Sequence, residues 1–193
     1  ADYDRLASSI ALVGRTTAAT ESQIVSVAGE IAPAAAAGFT ADQVIGLSGA
    51  LASLKVPPER SRSTILQFFE TLNMAVAAGG EKLDNFASVV GVSAQELEQM
   101  VRSGQGQDIL SRFIGNVSTA DTIEITQALE NLGLAGLRTN PTIRALAGNM
   151  SLLNSSIATG AEGWSENTEL QRQMAMILDD LSTKWQTFLN AAM

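Results

Sequence analysis

The sequence predicts an all-α fold, a bundle of about eight short helices between Asp2 and Thr159 followed by one long C-terminal amphipathic helix from about Ser165 to Ala191. Helix-forming residues such as alanine, leucine, glutamine and glutamate are abundant, and aromatic residues make up only 5% of the chain. No segment alternates apolar and polar residues as a half-buried strand does. The 193 residues are enough to bury a core without a disulfide, so we expect a globular bundle.

The predicted helix starts carry capping signals. In a capping box, a hydroxyl accepts a hydrogen bond from the amide three residues on, while a Gln or Glu side chain reaches back to the capping residue. Three such boxes are Thr20 with Gln23, Thr40 with Gln43, and Ser93 with Glu96. Asn140-Pro141 and Val56-Pro57-Pro58 predict two further starts, because proline at the first helical position loses only an amide that had no partner.

The predicted helix ends lie at glycines, which readily adopt the left-handed conformation that closes a helix. These ends are Gly38, Gly79-Gly80, Gly91, Gly104 with Gly106, Gly133 with Gly136, and Gly160 to Gly163. Pro33 lies inside the predicted helix 21–37 and should kink or split it. Short connections favour antiparallel neighbours around one core, so we predict a compact domain over 1–160 and a separate helix over 161–193. The predicted core residues are Ile65, Leu66, Phe68, Phe69, Leu72, Leu83, Phe86, Val89, Val90, Leu110, Phe113 and Ile114.

The last predicted helix has one apolar face, which we name the C-terminal stripe. Its residues are Leu170, Met174, Ile177, Leu181, Trp185 and Phe188. With Ala192, which continues this face, the mean spacing is 22/6 or about 3.67 residues, the period of a nearly straight or gently right-handed coil. Such a stripe has to be buried against something. Three partners remain open: the preceding bundle, further copies of the chain in a parallel oligomer with a trimer among the candidates, and another protein. We predict the C-terminal stripe as the interaction site.

The chain offers little for catalysis, because it contains no cysteine and no histidine. That composition removes disulfides, thiolate and imidazole metal ligands, and Cys–His or Ser–His nucleophile pairs. Paired carboxylates remain, but their positions in caps and on polar helix faces predict solvated side chains. The pairs are Glu96 with Glu98, Glu124 with Glu130, and Asp179 with Asp180. No phosphate-binding loop or calcium loop is present. We therefore expect no enzyme, no cofactor and no metal site.

The charge and hydropathy of the chain predict neither a nucleic-acid surface nor a membrane span. The net charge is -8 and the pI about 4.5, whereas phosphate contacts require clustered Lys and Arg. The densest basic group, Lys55 with Arg60 and Arg62, is expected to be a solvated loop and helix start rather than an anion site. The weakly polar stretch 31–54 is interrupted by Pro33 and Gly38, which favours two buried helices. Because the chain opens without methionine or a signal-peptide pattern, we expect an excerpt of a longer chain.

Three segments of the sequence carry a family resemblance. Residues 36–63, AAGFTADQVIGLSGALASLKVPPERSRS, and residues 82–97, KLDNFASVVGVSAQEL, resemble the conserved core of bacteriophage tail tape measure proteins. The segment from Ala158 to Trp164, which leads into a polar-faced helix, is similar to the end of that region. The family often has a glycine where this chain has Lys55-Val56-Pro57. The resemblance implies a non-enzymatic structural protein that lies inside the virion tail, and in the host cytoplasm during assembly. Its implied partners are tail tube and tail-tip (baseplate) proteins, and its implied role is to template tube assembly and help to set tail length.

The predicted breaks refine that expectation. A single helix of this length would extend roughly 290 Å, but a chain with this many turns should be compact, so we expect an anchoring or initiating domain rather than the ruler itself. The alternative is a generic helical adaptor or a secreted helical effector that binds a partner through the C-terminal stripe.

Overall fold

The computed structural model describes residues 2–137 and 139–166. Within these ranges every regular element is helical, which confirms the predicted all-α class, and there are ten α-helices and one 3-10 helix, Ala32–Ala37. The α-helices are α1 (Asp2–Thr16), α2 (Glu21–Ile31), α3 (Ala41–Ser53), α4 (Pro58–Ala78), α5 (Gly80–Val90), α6 (Ala94–Arg102), α7 (Gly106–Thr119), α8 (Thr122–Asn131), α9 (Thr139–Ala147) and α10 (Met150–Glu166).

The capping signals locate most helix starts correctly. At α2 the Gln23 amide donates to Thr20 Oγ1 at 3.3 Å, and the Thr20 amide donates to Gln23 Oε1 at 2.9 Å. At α6 the Glu96 amide donates to Ser93 Oγ at 3.1 Å. Because each bond satisfies an amide that has no partner within the helix, these caps define where the helices begin.

The start predicted at Asn140-Pro141 is displaced. Helix α9 begins at Thr139, and the Asn140 side chain accepts from Arg144 Nε at 2.6 Å inside the helix. Asn140 is therefore not the cap. Pro141 still lies in the first turn, where proline is tolerated.

Pro33 splits its helix, as predicted. Helix α2 ends at Ile31, the 3-10 helix follows over Ala32–Ala37, and Gly38 closes it with a φ of 94°. Proline lacks the amide that would continue the α-helical hydrogen-bond ladder, and Pro33 lies in the first turn of the 3-10 helix, where an amide would have no partner within the helix. The result is a short alanine-rich segment with almost no side-chain bulk.

The helix break predicted at Gly160 to Gly163 is wrong. Helix α10 runs through both glycines to Glu166, so the boundary predicted between residues 160 and 161 falls inside α10. A Cβ at Gly160 would lie 2.5 Å from the Asp42 carbonyl oxygen. Glycine is used here for close helix packing and not as a helix terminator. The long helix predicted from Ser165 to Ala191 lies outside the described residues beyond Glu166.

The buried hydrophobic residues form one continuous core, and two regions of the interior pack in different ways. The first is the contact of α1 and α3 with α10, which we name the glycine–serine contact; its residues are Ser9, Gly46, Gly49, Ser156, Gly160 and Gly163. The second is the phenylalanine cluster, which consists of Phe39, Phe68, Phe69, Phe86 and Phe113. Of the predicted core residues only Leu66 and Val89 are half-buried; the others are buried.

Candidate interaction site

The predicted interaction residues cannot be placed on the bundle directly. All six residues of the C-terminal stripe lie outside the described residues: Leu170, Met174, Ile177, Leu181, Trp185 and Phe188. The stripe therefore stays a prediction. What the structure does define is the position of Glu166, the last described residue, and the surfaces near it.

Helix α10 is held by backbone contact with α1 and α3. A Cβ at Gly46 would lie 2.5 Å from the Ile157 Cα, and one at Gly163 would lie 2.7 Å from the Ser9 Cα. The absence of side chains at these glycines is what allows the helices to approach so closely. Because added atoms would overlap main chain, and main chain cannot rotate away, this contact fixes the position of α10.

Two buried hydroxyls tie the same three helices together. Ser9 Oγ donates to the Gly160 carbonyl at 2.7 Å, and Ser156 Oγ donates to the Gly46 carbonyl at 2.7 Å. Both serines are 1% exposed or less. Each hydroxyl therefore has the partner that a buried polar group requires.

The order of these contacts gives the direction of the chain. Along α1, Ser9 faces Gly160 and Val13 lies beside Gly49, which in turn faces Ser156. Residue numbers rise along α1 and α3 as they fall along α10, so α10 is antiparallel to both. Glu166, the last described residue, thus lies at the end of the bundle where α1 begins.

An apolar groove lies between α1, α2, the 3-10 helix and α3, and we name it the α1–α3 groove. It has a volume of about 400 Å³ and is lined by apolar residues alone. Its larger side chains are Leu6, Ile10, Val25, Phe39, Val44 and Ile45, and the rest of the wall is alanine and glycine. Val25 is 51% exposed at its rim. Such a wall can bind apolar surface but offers no side chain that could orient a polar ligand.

A second hollow, the α4 cleft, lies on the other side of the 3-10 helix. It has a volume of about 580 Å³ and runs between that helix, α4 and the start of α7. Glu70 and Asn73 add polar groups to its α4 wall, and Met74 is 57% exposed. The alanine side chains of the 3-10 helix line both hollows, and their small size leaves the space open.

The candidate carboxylates have local structural roles. Glu98 Oε1 pairs with Arg102 Nη2 at 2.6 Å on the surface of α6, and Glu124 Oε2 accepts from the Asp121 amide at 3.1 Å. Glu96 and Glu130 are exposed, and Asp179 and Asp180 lie outside the described residues. No three acidic residues in the described part of the chain come together as a metal site would need.

Two features were missed in the sequence. Asp121 and Glu124 form a capping box that starts α8, and the pattern Asp-x-x-Glu resembles the boxes that were recognised. The α1–α3 groove also had a signal. Val25, Ala28, Gly29 and Ala32 recur at helical spacing beside the buried face of α2, so this helix has a second apolar face.

Comparisons with known proteins add no relative. A scan against protein-family models, a search of curated proteins and a search of solved structures each returned no match. Among the described helices, none combines the length and the apolar character needed to cross a bilayer.

Proposed function

We propose that this chain is a structural, non-catalytic segment of a bacteriophage tail tape measure protein, and that its bundle anchors or initiates tail tube assembly. The observation that carries the proposal is the family resemblance of residues 36–63 and 82–97. The first run contains α3, in which every residue from Val44 to Ala52 is buried. The second runs from α5 through Gly91 into α6. The resemblance therefore includes one helix that is almost entirely buried and a second segment of which Leu83, Phe86, Ala87, Val90 and Leu97 are buried.

The turn after α3 supports the proposal at the position where the sequence departs from the family. Lys55 has a φ of 56°, in the left-handed region that glycine occupies without steric cost. The Lys55 amide donates to the Ala52 carbonyl at 2.9 Å, and the Val56 amide to the Leu51 carbonyl at 3.0 Å. These are the bonds of a helix end that normally carries glycine. This chain thus forms, with lysine, a turn that suits the family's glycine.

The compact shape supports an anchoring role over a measuring one. Ser9 and Gly160 are 151 residues apart in sequence and share a hydrogen bond. A chain that returns on itself in this way spans far less than the roughly 290 Å of a continuous helix. On this proposal, the helices that measure the tail lie in other parts of a longer protein.

The proposed partners are the tail tube and tail-tip proteins, together with further copies of this chain in a homo-oligomer. Assembly proteins need apolar surface that a partner can cover. The α1–α3 groove and the α4 cleft supply such surface on the bundle, and the C-terminal stripe supplies it in sequence. On this proposal the protein works inside the virion tail, and in the host cytoplasm during assembly.

The test is a pair of in-frame deletions in the phage that carries the gene. Removing residues 1–193 should abolish tails in electron micrographs, because initiation fails. Removing an equal length of helical sequence elsewhere in the same gene should leave tails that are shorter in proportion.

Two other results would overturn the proposal. Tails of normal length without residues 1–193 would reject it altogether. Tails shortened in proportion by that deletion would make this bundle part of the ruler. A gene of about 193 codons would instead favour the helical adaptor or secreted effector.

A further inference from the structure

We infer that the α1–α3 groove is the docking site for the C-terminal stripe of the same chain. The inference goes beyond the tail assignment and does not depend on it, because it rests on the shape of the groove, the position of the last described residues of α10, and the sequence that follows.

The groove is built to take large apolar side chains. Four alanines, Ala28, Ala32, Ala35 and Ala41, and one glycine set its shape, so its walls are low and smooth. The C-terminal stripe supplies the complementary material, which is leucine, methionine, isoleucine, tryptophan and phenylalanine at helical spacing. An amphipathic helix that lays its apolar face in a hydrophobic groove is a recurrent mode of recognition.

The last described residues of α10 lie close to the groove. Successive residues of an α-helix are rotated by about 100° around its axis. On α1, Ser9 faces α10, whereas Leu6 and Ile10 line the groove. Ile10, which follows Ser9, is therefore rotated by about a quarter turn around the axis of α1. The groove begins at that angle from the contact with α10. Because α10 runs antiparallel to α1, the chain beyond Glu166 starts next to the first turns of α1, where Leu6 lies.

The remaining chain is long enough to reach the groove and to cover it. Residues 167–193 follow the last described residue. As a helix, a segment of that length would extend roughly 40 Å, nearly twice the roughly 22 Å of α1. Several residues can therefore form a turn while the rest still spans the groove.

The sequence directly after Glu166, the last described residue, carries a reversal signal. Asn167 is of the residue type that most often replaces glycine in the left-handed position after a helix. Thr168 and Gln171 then repeat the capping-box pattern that starts α2 and α3. A helix end followed at once by a new helix start is what a segment needs in order to turn back along the bundle.

Connection through the same chain favours this occupant over a second copy. A short tether holds its end at an effective concentration in the millimolar range. A second copy at micromolar concentration would compete poorly for the same groove. A stripe seated in the groove is also shielded from tail partners and from other copies, so binding them requires its release.

The absence of cysteine from the chain allows a clean cross-linking test. Val25→Cys, at the half-exposed rim, is combined in the full chain with a second cysteine at Met174, Ile177 or Leu181. Matched partners off the stripe are Arg172→Cys and Asp179→Cys. A disulfide needs Cβ atoms within about 4.5 Å. After mild oxidation, at least one stripe position should form an intramolecular disulfide about tenfold faster than either off-stripe position, as measured by non-reducing electrophoresis and peptide mass spectrometry.

Other outcomes overturn the inference. Disulfides that form only between chains would assign the groove to a second copy. If the stripe cysteines formed disulfides faster with Met74→Cys than with Val25→Cys, the result would place the stripe in the α4 cleft. Equal rates on and off the stripe, or no cross-link from any position, would mean that the groove does not hold it.

A second measurement avoids engineered cysteines. In a Trp164→Phe background the only tryptophan is Trp185, whose emission reports the polarity around the stripe. Val25→Asp should shift that emission by about 10 nm to the red while far-ultraviolet circular dichroism stays unchanged, because a charge at the groove rim displaces an apolar occupant. Met74→Asp is the matched control and should leave the emission in place. An emission maximum that Val25→Asp does not move would contradict the inference.

Discussion

The glycine–serine contact and the phenylalanine cluster solve the same packing problem in opposite ways. In the first, α1, α3 and α10 meet through residues so small that backbone touches backbone, as at Gly46 and Ile157. In the second, large rings fill the space between α4, α5 and α7; the centroids of Phe68 and Phe113 lie 4.9 Å apart at 62°. The comparison teaches that buried helices can be joined by close approach or by side-chain volume, and each solution fails differently.

The difference in failure follows from what each region lacks. Close-packed backbones have no rotamers with which to make room, so an added atom forces the helices apart. In a close-packed cluster of rings the neighbours cannot fill the space of a deleted ring. The deletion therefore leaves a cavity and removes dispersion contacts. Adding atoms should therefore damage the first region and removing atoms the second.

The largest effect is expected from removing a ring at the centre of the phenylalanine cluster. Phe68 is 1% exposed and contacts three other rings. Phe68→Ala should lower the free energy of unfolding by about 4 kcal/mol, since large-to-small changes of this kind cost about 3–5 kcal/mol. Urea unfolding followed by circular dichroism measures it.

The matched control for that change is Phe68→Leu, which keeps most of the volume. It should cost about 1–2 kcal/mol, in the range of tolerated apolar exchanges. Equal losses for both variants would contradict the account, because ring volume would then not be what stabilises the cluster.

A single added methyl group should come next. Gly46→Ala places a Cβ 2.5 Å from the Ile157 Cα, and we expect a loss of about 2–3 kcal/mol, typical of overpacking against atoms that cannot move. Gly115, inside α7, supplies the control, because an added Cβ there would meet only Met150 Cε at 3.8 Å, which is an ordinary contact. Gly115→Ala should stabilise by about 0.5–1 kcal/mol through helix propensity.

The two glycine variants are compared by the shift in their thermal midpoints. Opposite signs are expected from the same chemical change. If both variants moved the midpoint in the same direction, the close approach of α3 to α10 would not be what holds these helices together.

The smallest effect concerns the turn that connects the two regions. Lys55 joins α3, in the glycine–serine contact, to α4, in the phenylalanine cluster, and has a φ of 56°. Lys55→Gly should raise the free energy of unfolding by about 0.5 kcal/mol, since glycine adopts this conformation without strain. Lys55→Ala keeps the strain and should change stability by less. A Lys55→Gly variant less stable than Lys55→Ala would show that the turn is not strained.

Local chemistry was the part of the fold that could be predicted from sequence. Thr20 with Gln23 and Thr40 with Gln43 form their capping boxes as expected, and Pro33 ends α2, because each effect involves only neighbouring backbone atoms. At Ser93 only half of the predicted box is present, the bond from the Glu96 amide. Two longer predicted helices were divided further. Asp121 starts α8, and α9 ends just before Gly148 and Asn149. These additional breaks explain why the described part of the chain contains ten α-helices where about eight short ones were expected.

The roles of individual glycines and the position of the α1–α3 groove could not be predicted from the sequence. Gly38 and Gly91 end helices, whereas Gly46 and Gly160 lie inside them against other backbones. The residue type is the same, and only the distant neighbour decides between the two roles. The α1–α3 groove likewise needs four separate elements in place. The wall that α2 contributes could be predicted, because its second apolar face is visible in the sequence. The other walls are brought together only by tertiary packing.

The long-range nature of the glycine–serine contact has a consequence for synthesis. Helices α1 and α3 emerge from the ribosome early, but Gly163 follows the end of α3 by about 110 residues, which takes on the order of 5–20 s at typical translation rates. During that wait the surface reserved for α10 faces water. Because glycine and serine form its closest contacts with α10, that surface exposes little apolar area that could bind other nascent chains. A row of leucines in the same place would expose apolar surface and promote aggregation.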